Sequence, residues 1–418
     1  MSRIKRLTAD PVLIGTALAL SLYGVAMVYS AGQTDVLGAA ASAWKLQLQW
    51  VVLGILAAFV VSRGTLRFID WVATPLYLIS VATLLLMLRF GGGAGTAASS
   101  HAWLVIAGHR LGQPSELAKI ATVLMLAKEL AVFRQPPRSL LELWKPAMTV
   151  LVPFVLIAVQ PDLGSSLVFI GVFFAMLWWA GVEWRMLVLL ASPGISLVLA
   201  FSTGLWGAWF VLLMGLVFWY RPYLFESVSL VLANVVMGVV APKLWGRLAP
   251  YQQHRLLTFI DPNIDPRRTG WHVLQSKVAI GSGGWIGKGY LAGTQKRLAF
   301  LPEQHTDFIF AVLGEELGFI GVTVALVLFL ILLRRAVKIA ASASEPIGSL
   351  TAFGLAAVWL VHIIVNVGMT LNLMPITGIP LPFFSYGGSF MLACWISIGL
   401  LARIASEARG AQTLEGGL

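Results

Sequence analysis

The stretch LIGTALALSLYGVAMVY, residues 13–29, runs without a single Asp, Glu, Lys, Arg or His. A helix on the surface of a soluble domain keeps a polar face, whereas a helix crossing a bilayer needs about 20 mostly apolar residues and no such face. Comparable runs occupy 51–61, 72–88 and 322–333, each within a longer apolar window. Hydrophobic residues make up 58% of the 418-residue chain and charged residues 11%, with a mean hydropathy of +0.86. A soluble fold of this size has too little interior for so much apolar surface, so the solvent is lipid. The runs are continuous and do not alternate, which requires helices rather than a β-barrel. The basic start MSRIKR precedes an apolar run long enough to stay in the bilayer, so we read it as a retained first helix rather than a cleaved leader.

The pattern predicts twelve spanning helices, at about 11–30, 46–62, 71–89, 116–133, 146–160, 166–182, 186–202, 207–220, 226–242, 308–333, 350–371 and 386–404. The expected fold class is therefore an all-α polytopic membrane protein, one integral membrane domain over 1–418. Arg63, Arg67, Arg134, Arg138, Lys145, Arg185, Arg221, Arg334, Arg335 and Lys338 fall in alternate connections, on the side of Arg3, Lys5 and Arg6. Basic loops stay inside, which places both termini, and a tail over 405–418, in the cytoplasm. Cys394 is the single cysteine, so no intramolecular disulfide forms. The Gly-rich piece 91–100 reads as a surface loop, and the two halves show no convincing repeat, which weakens a carrier reading.

Net charge is +11, yet no basic helical stripe or RNA-binding motif is present, so nucleic acid is excluded as a partner. Part of the excess is the loop bias that sets orientation. The remainder lies in a long connection, 243–307, on the extracytoplasmic side. Basic residues there do not set orientation, so they imply an anionic partner or pairing with anionic lipid headgroups.

Within that loop, FIDPNIDPRRTG (259–270) crowds two Asp-Pro pairs and two arginines together. Asp-Pro turns account for Asp261. Asp265 is followed by Arg267 and Arg268, which keep it ionised and suited to act as a general base or a metal ligand. Further on, Lys277, Lys288, Lys296 and Arg297 interleave with Gly281, Gly283, Gly284, Gly287 and Gly289. Such a stretch forms either a flexible hairpin or a nest of backbone N–H groups around an anion. It is not a P-loop: Ser282 stands at the first glycine position and Gly289 at the Ser/Thr position.

Other polar residues flank or interrupt apolar runs. His305 and Asp307 precede a helix that carries Glu315 and Glu316, with Thr306 or Asp307 as its expected cap. In QPSELAK, Ser115 is the expected cap, and Glu116 and Lys119 share a helical face as an internal ion pair or a substrate contact. Asp162 in QPDLGSS reads as a turn and cap. PITGIPLPFFSYGGS (375–389) puts irregular backbone at membrane depth, where it must be buried in protein or line a cavity. The helix after it could turn its N-terminus to a phosphate. The six histidines show no paired ligand spacing, so no protein metal site is assigned.

QPSELAK, QPDLGSS, FIDPNIDP, TGWHVLQSKVAIGSGGWIGKG, LAFLPEQHTDFIFAVLGEELGFIG and GIPLPFFSYGGS occur in one order along nearly the whole chain. Together they resemble the SEDS family of bacterial cell-wall polymerases, and QSKVAIGSGGWIGKG resembles its elongation branch more than its division branch. The resemblance implies a SEDS-type bundle of ten helices, with the pair near 207–242 extra. It implies polymerisation of lipid II, a lipid-pyrophosphate-linked disaccharide-pentapeptide, at the outer membrane face. It also implies a class B penicillin-binding protein as partner, a divalent cation such as Mg²⁺ or Mn²⁺ as cofactor, and Asp265 as the catalytic aspartate. Arg255, Lys277 and Lys288 are then the expected pyrophosphate ligands, and Trp103, Glu116, Lys119, Gln275, Ser276 and His305 further substrate contacts. Ala102 and Leu46 stand where relatives usually carry arginine. The rival readings are a lipid II flippase and a non-catalytic scaffold that recruits the penicillin-binding protein.

Overall fold

A computed structural model describes residues 10–35, 39–92, 102–106, 109–248, 250–260, 269–298, 300–301 and 303–415. Its helices are α1 (Pro11–Gly32), α2 (Ala43–Val61), α3 (Leu66–Phe90), α4 (Pro114–Ala131), α5 (Trp144–Val159), α6 (Leu163–Trp179), α7 (Trp184–Leu199), α8 (Thr203–Tyr220) and α9 (Leu224–Arg247). They continue with α10 (Pro250–Ile260), α11 (Thr269–Gly283), α12 (Thr294–Arg297), α13 (Ile309–Ala341), α14 (Pro346–Thr370) and α15 (Gly388–Glu415). Each of the twelve expected spans corresponds to one of these helices. Among the described residues, nine helices are long and apolar enough to cross a membrane, and α6 and α7 are shorter apolar ones. Glu116, Lys119, Lys128 and Glu129 lie on the remaining expected span, α4.

The bundle is arranged for lipid. α3 turns Phe68, Trp71, Leu78, Ile79, Leu85 and Leu86 outward and buries Ser80. Lipid tails are as apolar as leucine, so helices associate through close packing and internal polar contacts rather than by hiding hydrophobes. α14 and α15 form the centre, where Trp359, Phe383, Phe384 and Trp395 are fully buried. α2 closes on α15 through glycine: a Cβ on Gly399 would meet the Ala58 carbonyl oxygen at 2.6 Å. α7, α8 and α9 form a smaller unit around Leu189, Leu213 and Leu230. There Ser196 donates to Asn234 Oδ1, Asn234 donates to Ser192 Oγ, and Trp209 donates to Ser196 Oγ.

Three elements depart from the sequence reading. The chain between α3 and α4 includes a hairpin, β1 (Leu104–Ile106) antiparallel to β2 (His109–Gly112). The long loop carries α10 and α11, whose polar residues gave no span signal. The expected tail over 405–415 continues α15, with Arg403 paired to Glu407 at 3.2 Å. The cap expectations also change. α4 begins at Pro114 with Gln113 as its cap, because proline fits the first helical position. Ser115 therefore lies inside the first turn. Phe308, not Thr306 or Asp307, caps α13, and it makes no side-chain cap bond. Asp162 does cap α6, accepting from the Ser165 N–H at 3.0 Å.

Candidate functional site

Four helices begin near one another, at the end of the bundle away from the connections bearing Arg63 and Arg138 and from Arg335 in the C-terminal part of α13. The first residue contacts come from their caps. Gln113 at the start of α4 donates to Asp162 Oδ2 at 2.8 Å, and its backbone N–H reaches Ser389 Oγ at the start of α15 at 3.3 Å. The segment between α14 and α15 passes among them: a Cβ on Gly164 of α6 would meet the Thr377 carbonyl oxygen at 2.6 Å. Asp307, just before α13, has Oδ2 3.0 Å from the place a Cβ on Gly378 would occupy. Gly378 has φ +75, so a side chain there would be both strained and in contact with the carboxylate. Helix N-termini carry partial positive charge, which offsets part of the negative charge of the carboxylates gathered at this mouth.

The irregular 375–387 backbone is satisfied by side chains, as its depth requires. Asn366 donates to the carbonyls of Asp307 (3.0 Å) and Ile379 (2.8 Å). Gln47 donates to the Ser385 carbonyl at 2.8 Å and accepts from the Gly387 N–H at 3.3 Å. His362 Nδ1 lies 2.9 Å from the Pro380 carbonyl and Nε2 lies 2.9 Å from Lys119 Nζ. A carbonyl only accepts, so Nδ1 carries the proton and Nε2 accepts from the ammonium. Lys119 also pairs with Glu116 at 2.9 Å, and both side chains are buried. The expected ion pair is thus present, and it fastens α4 through His362 to the broken segment.

Asp307 is the titratable group at the mouth. Burial and the charge of Glu303 push it up, Arg255 and a Thr306 hydrogen bond oppose this, and the result is about 7. Burial also pulls His305 below its ordinary value, against Glu303. The His305 ring packs on Tyr386 with centroids 5.5 Å apart, and its carbonyl accepts from the Tyr386 N–H. An aspartate raised in the folded state is ionised first in the unfolded chain. Stability therefore falls as pH rises from the unfolded value near 4 to about 7, and stays low above it. Asp307→Asn should flatten that fall: thermal unfolding of wild type should lose stability between about pH 4 and 7, and the variant should lose less. Parallel pH profiles would contradict this placement of Asp307.

The glycine-rich stretch encloses an anion, but the anion is the protein's own. The N–H groups of Thr294 and Gln295 donate to Glu315 Oε1 at 2.8 and 2.9 Å, and Lys288 Nζ reaches the same oxygen at 2.8 Å. Those of Lys288 and Gly289 donate to the carbonyls of Glu315 and Glu316, where Gly318 breaks the α13 backbone with φ +59. Lys296 is fully buried against Glu316 and Ser30. Arg297 pairs with Asp35 at 3.3 Å. Lys288 therefore faces an internal carboxylate rather than an open cradle. Lys277, exposed on α11, makes no ion pair among the described residues.

The other expected residues are dispersed over the same end. Arg255 is half-buried on α10, with its charge felt at Asp307. Gln275 is half-buried on α11, while Ser276 is buried and donates to the Thr370 carbonyl at 2.8 Å, holding α11 to α14. Trp103 exchanges backbone hydrogen bonds with Gly92 at 2.9 and 3.0 Å. Asp261, Asp265, Arg267 and Arg268 lie outside the described residues. Among the described residues no three His, Cys, Asp or Glu side chains stand together as metal ligands, so these residues offer no ready-made cage. Sequence reasoning missed Gln47, His362 and Asn366. A polar side chain inside an apolar run was the signal that could have found them.

The sequence matches the FtsW/RodA/SpoVE family, described as cell cycle protein, over residues 11–214 and 206–410. The chain belongs to this family, the SEDS proteins. Among its relatives, a protein named peptidoglycan glycosyltransferase RodA from Treponema pallidum (strain Nichols) is 34% identical, over 94% of this chain and 97% of that one. A probable peptidoglycan glycosyltransferase FtsW from Trichlorobacter lovleyi is also 34% identical, over 95% and 93%. The fold matches a solved structure described under structural coordination of polymerization and crosslinking by a peptidoglycan synthase complex. The TM-score is 0.72 at 28% identity, covering 96% of this chain and 98% of that one. The SEDS fold is thus a multi-pass helical bundle in this chain, and the two matched stretches overlap within α8.

Proposed function

We propose that this SEDS protein is a peptidoglycan glycosyltransferase that polymerises lipid II at the outer face of the cytoplasmic membrane, with both termini inside. The observation that supports the reading is the order along the chain, in which a cation-bearing helix stands on either side of the segment with residue 265. α10, with Arg255, ends at Ile260, and α11, with Lys277, begins at Thr269, so the two helices flank the connection bearing Asp265.

Chain growth joins a GlcNAc 4-hydroxyl to an anomeric carbon that leaves a lipid pyrophosphate. Asp265 takes the hydroxyl proton as the new C–O bond forms with inversion. The bond to the pyrophosphate breaks, its electron pair stays with the leaving oxygen, and Arg255 and Lys277 hold the charge that develops there. Positive charge gathers on the sugar ring in an oxocarbenium-like transition state. Lys288 is assigned instead to the Glu315 contact that shapes the loop. Trp103, Gln275 and His305 are assigned to sugar or peptide contacts, while Ser276 holds α11, which carries Gln275, to α14, and Glu116 and Lys119 hold α4. A divalent cation is the proposed cofactor; bound by the pyrophosphate, it would add positive charge at the leaving oxygen. The described residues hold no group of three carboxylate, His or Cys side chains that would bind it by themselves.

A class B penicillin-binding protein is the proposed partner, in keeping with the synthase complex that shares the fold. The form of QSKVAIGSGGWIGKG favours elongation over division. Depletion in a rod-shaped host should then give round cells, whereas filaments would place the protein in division. The deciding experiment incubates purified protein with labelled lipid II, with and without the partner, and in parallel reconstitutes it in vesicles. Glycan strands support the polymerase. Lipid II scrambling without strands would support the flippase, and neither activity would leave the scaffold.

A further inference from the structure

We propose that the lipid-facing side of α8 binds an anionic glycerophospholipid, with the headgroup phosphate at Arg221 and an acyl chain in the groove beside Gly215. α8 is the most outlying helix of the α7–α9 unit, and Leu213 is its one buried residue. Its surface is not smooth. A groove of about 850 Å³ is lined by Met214, Gly215, Phe218, Trp219 and Arg221. A Cβ on Gly215 would meet nothing within 4 Å, so the missing side chain leaves an open notch between exposed Phe218 and Trp219. Four of the five lining residues are apolar or glycine, which suits an acyl chain and excludes a free, fully hydrated anion along most of the groove.

One end of the groove is cationic. Arg221 ends α8 in the left-handed region, φ 52 and ψ 57, with its N–H bonded to the Val217 carbonyl at 2.9 Å. A cation is favoured at a helix C-terminus, which explains the charge. It does not supply the side chain with an anion: Arg221 makes no ion pair among the described residues. A second cation lies on the same rim, for Arg185 of α7 sits 4.2 Å from the Trp219 ring centroid and 5.9 Å from that of Trp184. Two carboxylates lie nearby. Glu226 is buried and accepts from Ser139 and from the Leu141 and Tyr223 N–H groups, while Glu183 is exposed. Neither pairs with Arg185 or Arg221 among the described residues. Tryptophans at the headgroup level with arginines beyond them form an interfacial belt, and basic pockets beside spanning helices on the cytoplasmic side hold anionic headgroups. A zwitterionic lipid would bring its own cation against the same two guanidiniums, so the site selects net negative charge.

Native mass spectrometry of the full chain, released from detergent with equal amounts of phosphatidylglycerol and phosphatidylcholine of matched acyl chains, tests this. Wild type should retain phosphatidylglycerol about fivefold better, the scale of one basic residue at a membrane surface. Arg221→Gln should abolish the preference, and Gly215→Leu, which fills the notch, should reduce retention of both lipids. Glycerol phosphate without acyl chains should not compete. Equal retention of the two lipids by wild type, an unchanged preference in Arg221→Gln, or competition by glycerol phosphate would each overturn the site. Size-exclusion profiles confirm that each variant is folded, and Arg221→Gln decides alone should the leucine variant misfold.

Discussion

Asp265→Ala should lower glycan-strand formation by the purified protein by about 10²–10⁴-fold, the usual worth of a positioned base. Expression, extraction and binding of the partner should be unchanged, because Asp265 lies in a connection and the bundle is held by contacts elsewhere, such as Asp10 with Arg335 at 2.6 Å between α1 and α13. Asp265→Asn should fall nearly as far, since an amide neither accepts the proton nor carries the charge. Gel analysis of products from labelled lipid II reads this directly. Polymerisation at the wild-type rate by either variant would remove Asp265 from the reaction.

Lys296→Met should cost about 3–5 kcal/mol of stability, the second large effect expected. Its side chain and that of Glu316 are both fully buried, so removing the cation strands a carboxylate. Ser30 and the Gly293 N–H remain as neutral donors to that carboxylate and do not replace the charge. The double change Lys296→Met with Glu316→Leu should recover much of the loss, since an apolar pair of similar volume leaves no buried ion. Thermal unfolding of the three variants in one detergent measures this. A single variant as stable as wild type would show that the pair is not buried as described. Polymerisation should fall with Lys296→Met as well, because Lys296 ties the segment 284–297 to Ser30 of α1 beside the point where Thr294 is tied to Glu315 of α13.

The spanning helices were legible because the feature that defines them, a continuous apolar run, needs no tertiary context. α10 and α11 were not, because their sequences are mixed; α11 packs on α13 and α14, and α10 packs on α11. Glu315 and Glu316 carried a clear warning, since carboxylates on an apolar helix require partners. Their partners, Lys288 and Lys296, lie twenty or more residues upstream, and left-handed glycines fold the chain back on them. Read along the sequence, those lysines look like a free cationic cradle. In the folded chain they neutralise internal charge of α13. Glu116 and Lys119 were legible as neighbours three apart on one helix. His362, which completes that contact from α14, lies 243 positions away from Lys119, and only the fold brings it there.

The account rests on the side of the membrane that residue 265 faces. Cys394 is the single native cysteine and is buried, so a cysteine placed at Asn263 gives a probe with little background. Intact spheroplasts producing Asn263→Cys are treated with a membrane-impermeant maleimide, before and after permeabilisation. Full labelling of the intact spheroplasts is the predicted result; labelling only after permeabilisation would contradict the account.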